Sequence, residues 1–248
     1  MAQAQVSFLY GTSISSPPAS TSQLGTPPWL QVLIEDSGAN EVLMTITPFF
    51  QDPAPPADPL TTYPSVFVSE LAFNLNLDTP ASVVYAGDCF SVEASICSNF
   101  VGRPQNGIFT GANNQGVSGS GQTSGYDLSV NLPPPPGSAP NVLNAGDVIS
   151  FKLAAPSLDA GTFTSASFLA QTSNAGDYYT VAKIQGLRGN PNSTVISGEP
   201  QAEPPIPPET EVPAPLPLLG AASALAFSRR LRLRRQLHAP SRLAWPRS

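Results

Sequence analysis

Apolar and polar residues alternate with a period of two along much of this chain, which is typical of β-strands with one buried face. Two β-rich runs are residues 29–35 and 41–47. The turn-forming residues 36–40 join them, so we predict a β-hairpin. The alternation is clearest in residues 66–77, where a change of phase predicts a β-bulge near Ser69-Glu70.

Further short β-rich runs are residues 6–10, 82–85, 89–96, 126–132, 148–154, 163–169 and 178–184. Residues 111–125 are rich in Gly, Ser and Asn, so we predict a loop there. No segment before Val212 repeats its apolar residues every 3.6 positions, so we predict no helix in that part. About ten short strands with frequent turn signals indicate an all-β protein with a single β-sandwich, jelly-roll-like or Ig-like.

The charge distribution divides the chain at Val212. The residues before it hold all 17 acidic and four of the 11 basic residues, a formal charge of −13, and the rest carries +7. Because an acidic, lysine-poor body repels phosphate, nucleic acid is not an expected partner. Charged residues make up 11% of the chain, against about 25% in ordinary soluble proteins. This composition is typical of an exported β-rich protein.

Cys89 and Cys97 are the two cysteines of the chain. A structural zinc site takes four ligands, and the one histidine, His238, lies in the C-terminal tail. In an exported protein an isolated pair favours a disulfide, so we predict a Cys89–Cys97 bridge. Two buried free thiols are the alternative.

Three kinds of sequence follow one another near the C-terminus. The first is a proline motif made of Val212, Pro213, Ala214 and Pro215. The apolar segment that follows contains Leu216, Leu218, Leu219, Ala221, Ala222, Leu225 and Phe227. A basic cluster contains Arg229, Arg230, Arg232, Arg234 and Arg235. As a helix, residues 216–227 would be about 18 Å long against a hydrocarbon core of about 30 Å, so the arginines have to fix its position.

This order of motif, apolar segment and arginine cluster resembles the PEP-CTERM sorting signal of Gram-negative and cyanobacterial surface proteins. Its sequence is similar to the variant found in cyanobacterial members, although Ala214 stands where the family usually has an acidic residue. The resemblance implies processing by an exosortase-type enzyme. It also implies a short transmembrane helix that anchors the chain before processing, with the C-terminus in the cytoplasm and the body in the cell envelope or outside the cell.

The composition and the resemblance together predict five regions. Residues 1–5, in which Ala2-Gln3-Ala4 has the pattern of a signal-peptidase site, are a candidate remnant of an export signal. The others are the β-sandwich (6–198), a stalk rich in Pro and Glu (199–211), the sorting signal (212–235) and a cytoplasmic extension (236–248).

The body offers no familiar catalytic set. No histidine precedes His238 and neither cysteine has a base partner, so the sequence does not support Ser/His or Cys/His catalysis. We therefore predict a non-enzymatic surface protein without a cofactor, associated with extracellular polysaccharide or biofilm. One alternative is a carbohydrate-binding or adhesive module, for which the candidate stacking residues are Tyr63, Tyr85, Tyr126, Tyr178 and Tyr179. Another is a surface hydrolase that uses paired carboxylates.

Calcium is the ion that the acidic turns could hold, because it prefers oxygen ligands. The candidates are residues 36–40, Asp78, Asp88, Asp127, Asp147 and Asp177. None of them lies in an EF-hand loop or a Gly/Asp nonapeptide repeat, so no metal site is assigned.

Overall fold

The computed structural model of the chain describes residues 4–15, 21–50, 66–78, 80–102, 104–117, 124–132, 142–171, 177–187 and 192–201. All of these lie in one compact unit, Met1–Glu203. Their β-strands are β1 Gln5–Ser13, β2 Leu30–Gly38, β3 Glu41–Pro48, β4 Phe67–Phe73, β5 Val84–Ser91, β6 Ile108–Gly116, β7 Ser124–Asn131, β8 Leu143–Asn144, β9 Ile149–Ala154, β10 Thr180–Gln185 and β11 Ser193–Gln201. Helix α1 is Ala94–Val101, and 3₁₀ turns occupy Thr21–Leu24, Pro80–Ser82, Pro104–Gly107 and Ser165–Phe168.

The strands form one antiparallel sheet in the order β5-β9-β3-β2-β1-β11-β10-β4-β7-β6, and β8 pairs with the start of β4. The end strands β5 and β6 approach each other, so the sheet nearly closes into a barrel. The prediction of an all-β protein is confirmed. Instead of the two packed sheets of a sandwich, however, the described strands share one continuous sheet. Register shifts interrupt five of its strand pairs, and such irregularities bend strands and let a sheet curve.

Two local predictions are confirmed. Strands β2 and β3 form the hairpin, with Leu30 opposite Pro48 and Gly38 opposite Glu41. The bulge lies in β4, where Glu70 pairs with Lys183 and Val68 pairs with Ile184. Ser69 therefore has no directly opposite residue on β10, which explains the change of phase in the sequence.

The main core fills the inside of the curved sheet. Alternate residues of β1, β2, β3 and β9 point into it, because successive side chains of a strand face opposite sides. Aromatic rings pack against one another within this core. Phe73 packs edge-on against Phe8 and Phe168, with ring centroids 6.2 and 5.6 Å apart.

A second, smaller apolar cluster consists of Ala72, Val117, Tyr126, Val181 and Val195. Its members are at most 4% exposed. Strands β4, β10 and β11 consequently bury side chains on both of their faces.

Two segments differ from their predicted strands. Residues 89–96 end β5 and begin α1, a helix whose eight residues are too few to reveal a helical period in the sequence. Residues 163–169 contain the 3₁₀ turn Ser165–Phe168, where Ser167 Oγ accepts a hydrogen bond from the backbone N–H of Thr164 at 3.1 Å. Such local Ser/Thr bonds compete with strand pairing, and the apolar residues Phe163 and Phe168 reach the core from the turn instead.

Candidate functional site

Exposed apolar side chains gather on β5, the end strand of the sheet. Val84 and Phe90 point away from the core and are 46% and 64% exposed, and Val92 just beyond the strand is 66% exposed. We call these three residues the β5 surface. The alternate residues Tyr85 and Cys89 pack against the core, which fixes the direction of Phe90. An end strand also has unpaired backbone groups through which another chain can bind.

A small ion-pair network crosses the same face. Lys152 Nζ lies 2.8 Å from Asp88 Oδ2 and 3.1 Å from Glu41 Oε1, so one ammonium bridges carboxylates of β5 and β3. The hydrogen bond to Asp88, followed by that to Glu41, raises the pKa of Lys152 above its ordinary value. Both carboxylates therefore have a structural partner.

The gap between the two ends of the sheet is filled by α1 and the 3₁₀ turn Pro104–Gly107, which we call the seam segment. Phe100 of α1 is fully buried, with its ring centroid 4.7 Å from that of Phe151 and 5.9 Å from that of Tyr85. At Gly107 a Cβ atom would lie 2.8 Å from Phe100 Cε2 and 2.6 Å from the Asn131 carbonyl oxygen. The segment is thus packed tightly between β5 and β7.

Cys89 of β5 and Cys97 of α1 are joined by a disulfide, with their Cα atoms 5.7 Å apart. The predicted bridge is confirmed. It ties the seam segment to the β5 surface, because Cys89 directly precedes Phe90 in the strand.

The acidic calcium candidates serve mostly as acceptors for the protein's own groups. Asp36 Oδ1 accepts a hydrogen bond from the Ser165 N–H at 2.7 Å, and Asp127 Oδ2 accepts one from the Leu75 N–H at 3.0 Å. Asp147 Oδ2 accepts from the Asn144 N–H at 2.9 Å, and Asp88 pairs with Lys152. In the described ranges no three Asp, Glu, His or Cys side chains converge as metal ligands do.

Asn40, in the hairpin turn, makes three hydrogen bonds through its side chain. Its Nδ2 donates to the carbonyl oxygens of Leu158 and Asp159 at 2.7 and 2.8 Å, and its Oδ1 accepts from the Phe163 N–H at 3.1 Å. It does so at a φ of 55°, a left-handed conformation that Asn tolerates better than most residues. The turn that we considered for calcium therefore holds the protein's own 158–163 segment.

Of the tyrosines considered for sugar stacking, those that the structure describes do not form an exposed strip. Tyr126 is fully buried in the second apolar cluster, and burial raises its pKa well above the usual value. Tyr85 packs on Phe100, and Tyr179 lies 6.4 Å from Phe8, between ring centroids. Tyr63 lies outside the described residues. On the β5 surface the exposed aromatic ring is that of Phe90.

The sorting signal falls outside the described residues, and this applies to the proline motif, the apolar segment and the arginine cluster alike. In the part of the chain that the structure describes, no helix has the length and apolar character needed to span a membrane.

The β5 surface was not predicted from the sequence. Its signal was present in the alternation of Tyr85 and Cys89 with Phe90, but residues 82–85 and 89–96 were interpreted as two separate strands. Comparisons with protein-family models, with curated proteins and with solved structures find no match to this chain. The function therefore has to be argued from the residues themselves.

Proposed function

We propose that the protein is an exported, non-enzymatic cell-surface protein that its C-terminal signal delivers to an exosortase-type enzyme. In this proposal the body lies outside the membrane on the stalk predicted from residues 199–211, of which residues 199–201 belong to strand β11 and pair with β1. Residues 216–227 are the short transmembrane anchor before processing, and the body associates with extracellular polysaccharide.

The observation that carries the export part of this proposal is the Cys89–Cys97 disulfide. Disulfides form and persist in oxidising compartments, and they are rare in the reducing cytosol. The charge distribution agrees, because seven basic residues follow Val212 and an acidic body precedes it. Basic residues concentrate on the cytoplasmic side of membranes, so this order favours a body outside and a C-terminus inside.

The test is the intact mass of the surface form. The full chain is produced in two Gram-negative strains that export it. One strain has an exosortase-type enzyme and the other lacks it. We expect a new C-terminus near residues 212–217 when the enzyme is present. A surface form that still ends at Ser248 in both strains would contradict the proposal.

Variants of the signal separate its parts. Replacement of all five arginines of the cluster by serine should release the chain from the membrane without processing. The reason is that the apolar segment alone is too short to stay in the bilayer. Pro213→Ala should leave the chain anchored and uncleaved. Ala214→Glu is the matched control, since it restores the residue usual in the family and should be processed at least as well as the natural sequence.

A second candidate function, an adhesive or carbohydrate-binding module, is favoured by the exposed ring of Phe90. An aromatic ring can stack on the apolar face of a sugar, and apolar neighbours such as Val92 would widen the contact. Sedimentation of the full chain with the producer's own polysaccharide tests this, with Phe90→Ser expected to reduce the bound fraction. Val101→Ser, at another exposed apolar position, is the control and should bind like the natural chain. Equal binding by the Phe90→Ser variant would contradict this second function.

A further inference from the structure

The almost closed sheet has one seam, which lies between its end strands. Strand β5 pairs with β9, and β6 pairs with β7, and no pairing between β5 and β6 occurs among the described residues. The chain crosses from one end strand to the other through the seam segment. Whatever holds this segment in place also keeps that side of the core closed.

Helix α1 has little stability of its own. It contains eight residues, well below the roughly 12–15 at which isolated helices become even marginally stable. Its N-cap residue, Glu93, makes no capping hydrogen bond through its side chain. The helix is therefore held by its tertiary contacts.

Two side chains anchor the helix in the core. Ile96 and Phe100, one helical turn apart, are its fully buried residues, whereas Val101 at its end is 41% exposed. A covalent link from Cys97 to Cys89 adds to these contacts. Both cysteines are half-buried against the core and not fully enclosed by it.

We propose that the Cys89–Cys97 disulfide is a redox-sensitive latch on the seam segment. Reduction by a dithiol opens α1 locally, while the paired strands stay folded. Opening uncovers Phe100 and the rings of Tyr85 and Phe151 that it contacts, next to the already exposed Phe90. The reduced protein thereby presents a larger apolar surface at the end of the sheet.

The chemistry is ordinary thiol–disulfide exchange. A thiolate of the dithiol attacks one sulfur of the bridge, which breaks the S–S bond, releases the other cysteine as a thiolate and leaves the attacked cysteine in a mixed disulfide. The second thiol of the dithiol then displaces that cysteine. The S–S bond takes up two electrons and two protons to give two thiols, and the dithiol is oxidised to its own disulfide. Removal of the reductant and addition of an oxidant reverses the reaction. This inference does not depend on the proposed sorting route.

Hydrogen exchange of the full chain, with and without dithiothreitol, tests the latch. On reduction we expect the α1 amides to exchange at least about 10-fold faster, and the amides of Met44 and Ile46 in β3 to change less than about twofold. Unchanged α1 exchange after complete reduction would overturn the proposal. Equal acceleration in β3 would also overturn it, because the bond would then stabilise the whole fold.

Two variants sharpen the result. The double variant Cys89→Ser with Cys97→Ser should exchange like the reduced protein in both conditions, and protected α1 amides in it would contradict the latch. The control is Ser98→Ala, which removes only an exposed hydrogen bond from Ser98 Oγ to the Ala94 carbonyl oxygen. It should keep the full difference between oxidised and reduced protein, and loss of that difference would count against the disulfide as the cause.

Discussion

Two flanks of the same sheet bury their side chains differently. In β2, β3 and β9 buried and half-exposed residues alternate strictly over most of each strand, so one face is apolar and the other meets solvent. In β4 and β10 all but one residue of each strand is buried, and β11 is buried from Thr194 to Gly198. We call these the one-sided flank and the two-sided flank.

This difference in burial determines which contacts an outward-facing side chain makes and how much it stabilises the fold. On the one-sided flank it makes polar contacts at the surface, such as the 2.9 Å hydrogen bond between Thr45 Oγ1 and Ser150 Oγ. On the two-sided flank it belongs to a second apolar cluster with Val181 and Val195 at its centre. The same substitution should therefore have a large effect on one flank and a small one on the other.

The largest effect is expected for Val181→Asp on the two-sided flank. Val181 is fully buried with Ala72 and Val195, so the new carboxylate would lose its hydration without gaining a partner. We expect a loss of at least about 4 kcal/mol in the free energy of unfolding, enough to unfold a marginally stable domain. Urea unfolding followed by circular dichroism measures it.

Leu33→Asp is the matched control on the one-sided flank. Leu33 faces outward between Ser7 and Thr45 and is half-buried, so an aspartate there remains hydrated. We expect a loss of about 1 kcal/mol, from apolar contact and β-propensity. Similar losses at the two positions would show that the flanks do not differ as described.

The sequence predicted strands on both flanks. On the one-sided flank the β-rich runs 29–35 and 41–47 and the turn residues between them predicted the hairpin. On the two-sided flank the alternation over residues 66–77 predicted β4 and its bulge. On the two-sided flank β11 was missed, since polar residues such as Thr194 and Ser197 are buried there beside apolar ones. Residues 111–116 of β6 lie in the segment that the sequence predicts as a loop because of its Gly, Ser and Asn residues. Neither strand has an alternating pattern to detect.

Substitution of Asn40 tests whether the stability of the one-sided flank comes from the hairpin turn between β2 and β3 or from the outer face of the strands. Asn40→Ala removes three side-chain hydrogen bonds and places a less tolerant residue at a φ of 55°. At about 1 kcal/mol for each, this predicts a loss of about 3–4 kcal/mol in the free energy of unfolding. Thermal or urea unfolding provides the measurement.

Asn40→Gly separates the two causes. Glycine also loses the hydrogen bonds but adopts positive φ freely, so it should be about 1 kcal/mol more stable than the alanine variant. If alanine and glycine are equal, backbone conformation contributes nothing there. If both match the natural protein, the bonds to Leu158, Asp159 and Phe163 are not stabilising.

A smaller effect is expected where strands of the two-sided flank approach most closely. At Gly198 an added Cβ atom would lie 2.8 Å from Thr180 Cγ2 and 2.8 Å from Tyr10 Cζ. The Tyr10 hydroxyl is hydrogen-bonded to Thr180 Oγ1 at 2.7 Å across this glycine, so neither side chain can move away freely. Gly198→Ala should therefore cost about 2 kcal/mol through overpacking, measured by urea unfolding.

Gly38→Ala is the corresponding change on the one-sided flank. Its nearest neighbour would be Glu41 Cβ at 3.6 Å, an ordinary contact. We expect a change within about 0.5 kcal/mol. A Gly198→Ala variant as stable as Gly38→Ala would mean that Tyr10 and Thr180 repack without cost.

Of the candidate site, the sequence predicted the disulfide but not the surface around it. The isolation of Cys89 and Cys97 is visible in the sequence alone. The exposure of Phe90 is not, because it depends on which strand lies at the end of the sheet, and that order results from contacts between distant segments such as β5 and β9. The sorting signal, read from residues 212–235, stays a prediction.

The smallest effect is expected for Lys152→Met, which removes the ion pairs from the outer face of the one-sided flank. The hydrogen bonds to Asp88 and Glu41 raise the pKa of Lys152 above its ordinary value of 10.5. A raised pKa in the folded state stabilises the protein below the unfolded-state value, and the contribution disappears as the pH rises through the folded-state value. Lys152→Met should thus be slightly less stable than the natural protein at pH 7, and the difference should vanish at strongly alkaline pH.

The stability difference between Lys152→Met and the natural protein should also shrink in about 1 M salt, where exposed charges are screened over about 3 Å. Lys152→Arg is the control, since arginine stays protonated and should keep the ion pairs at alkaline pH. A Lys152→Met deficit that is independent of both pH and salt would assign the contribution of Lys152 to its aliphatic chain instead of its charge.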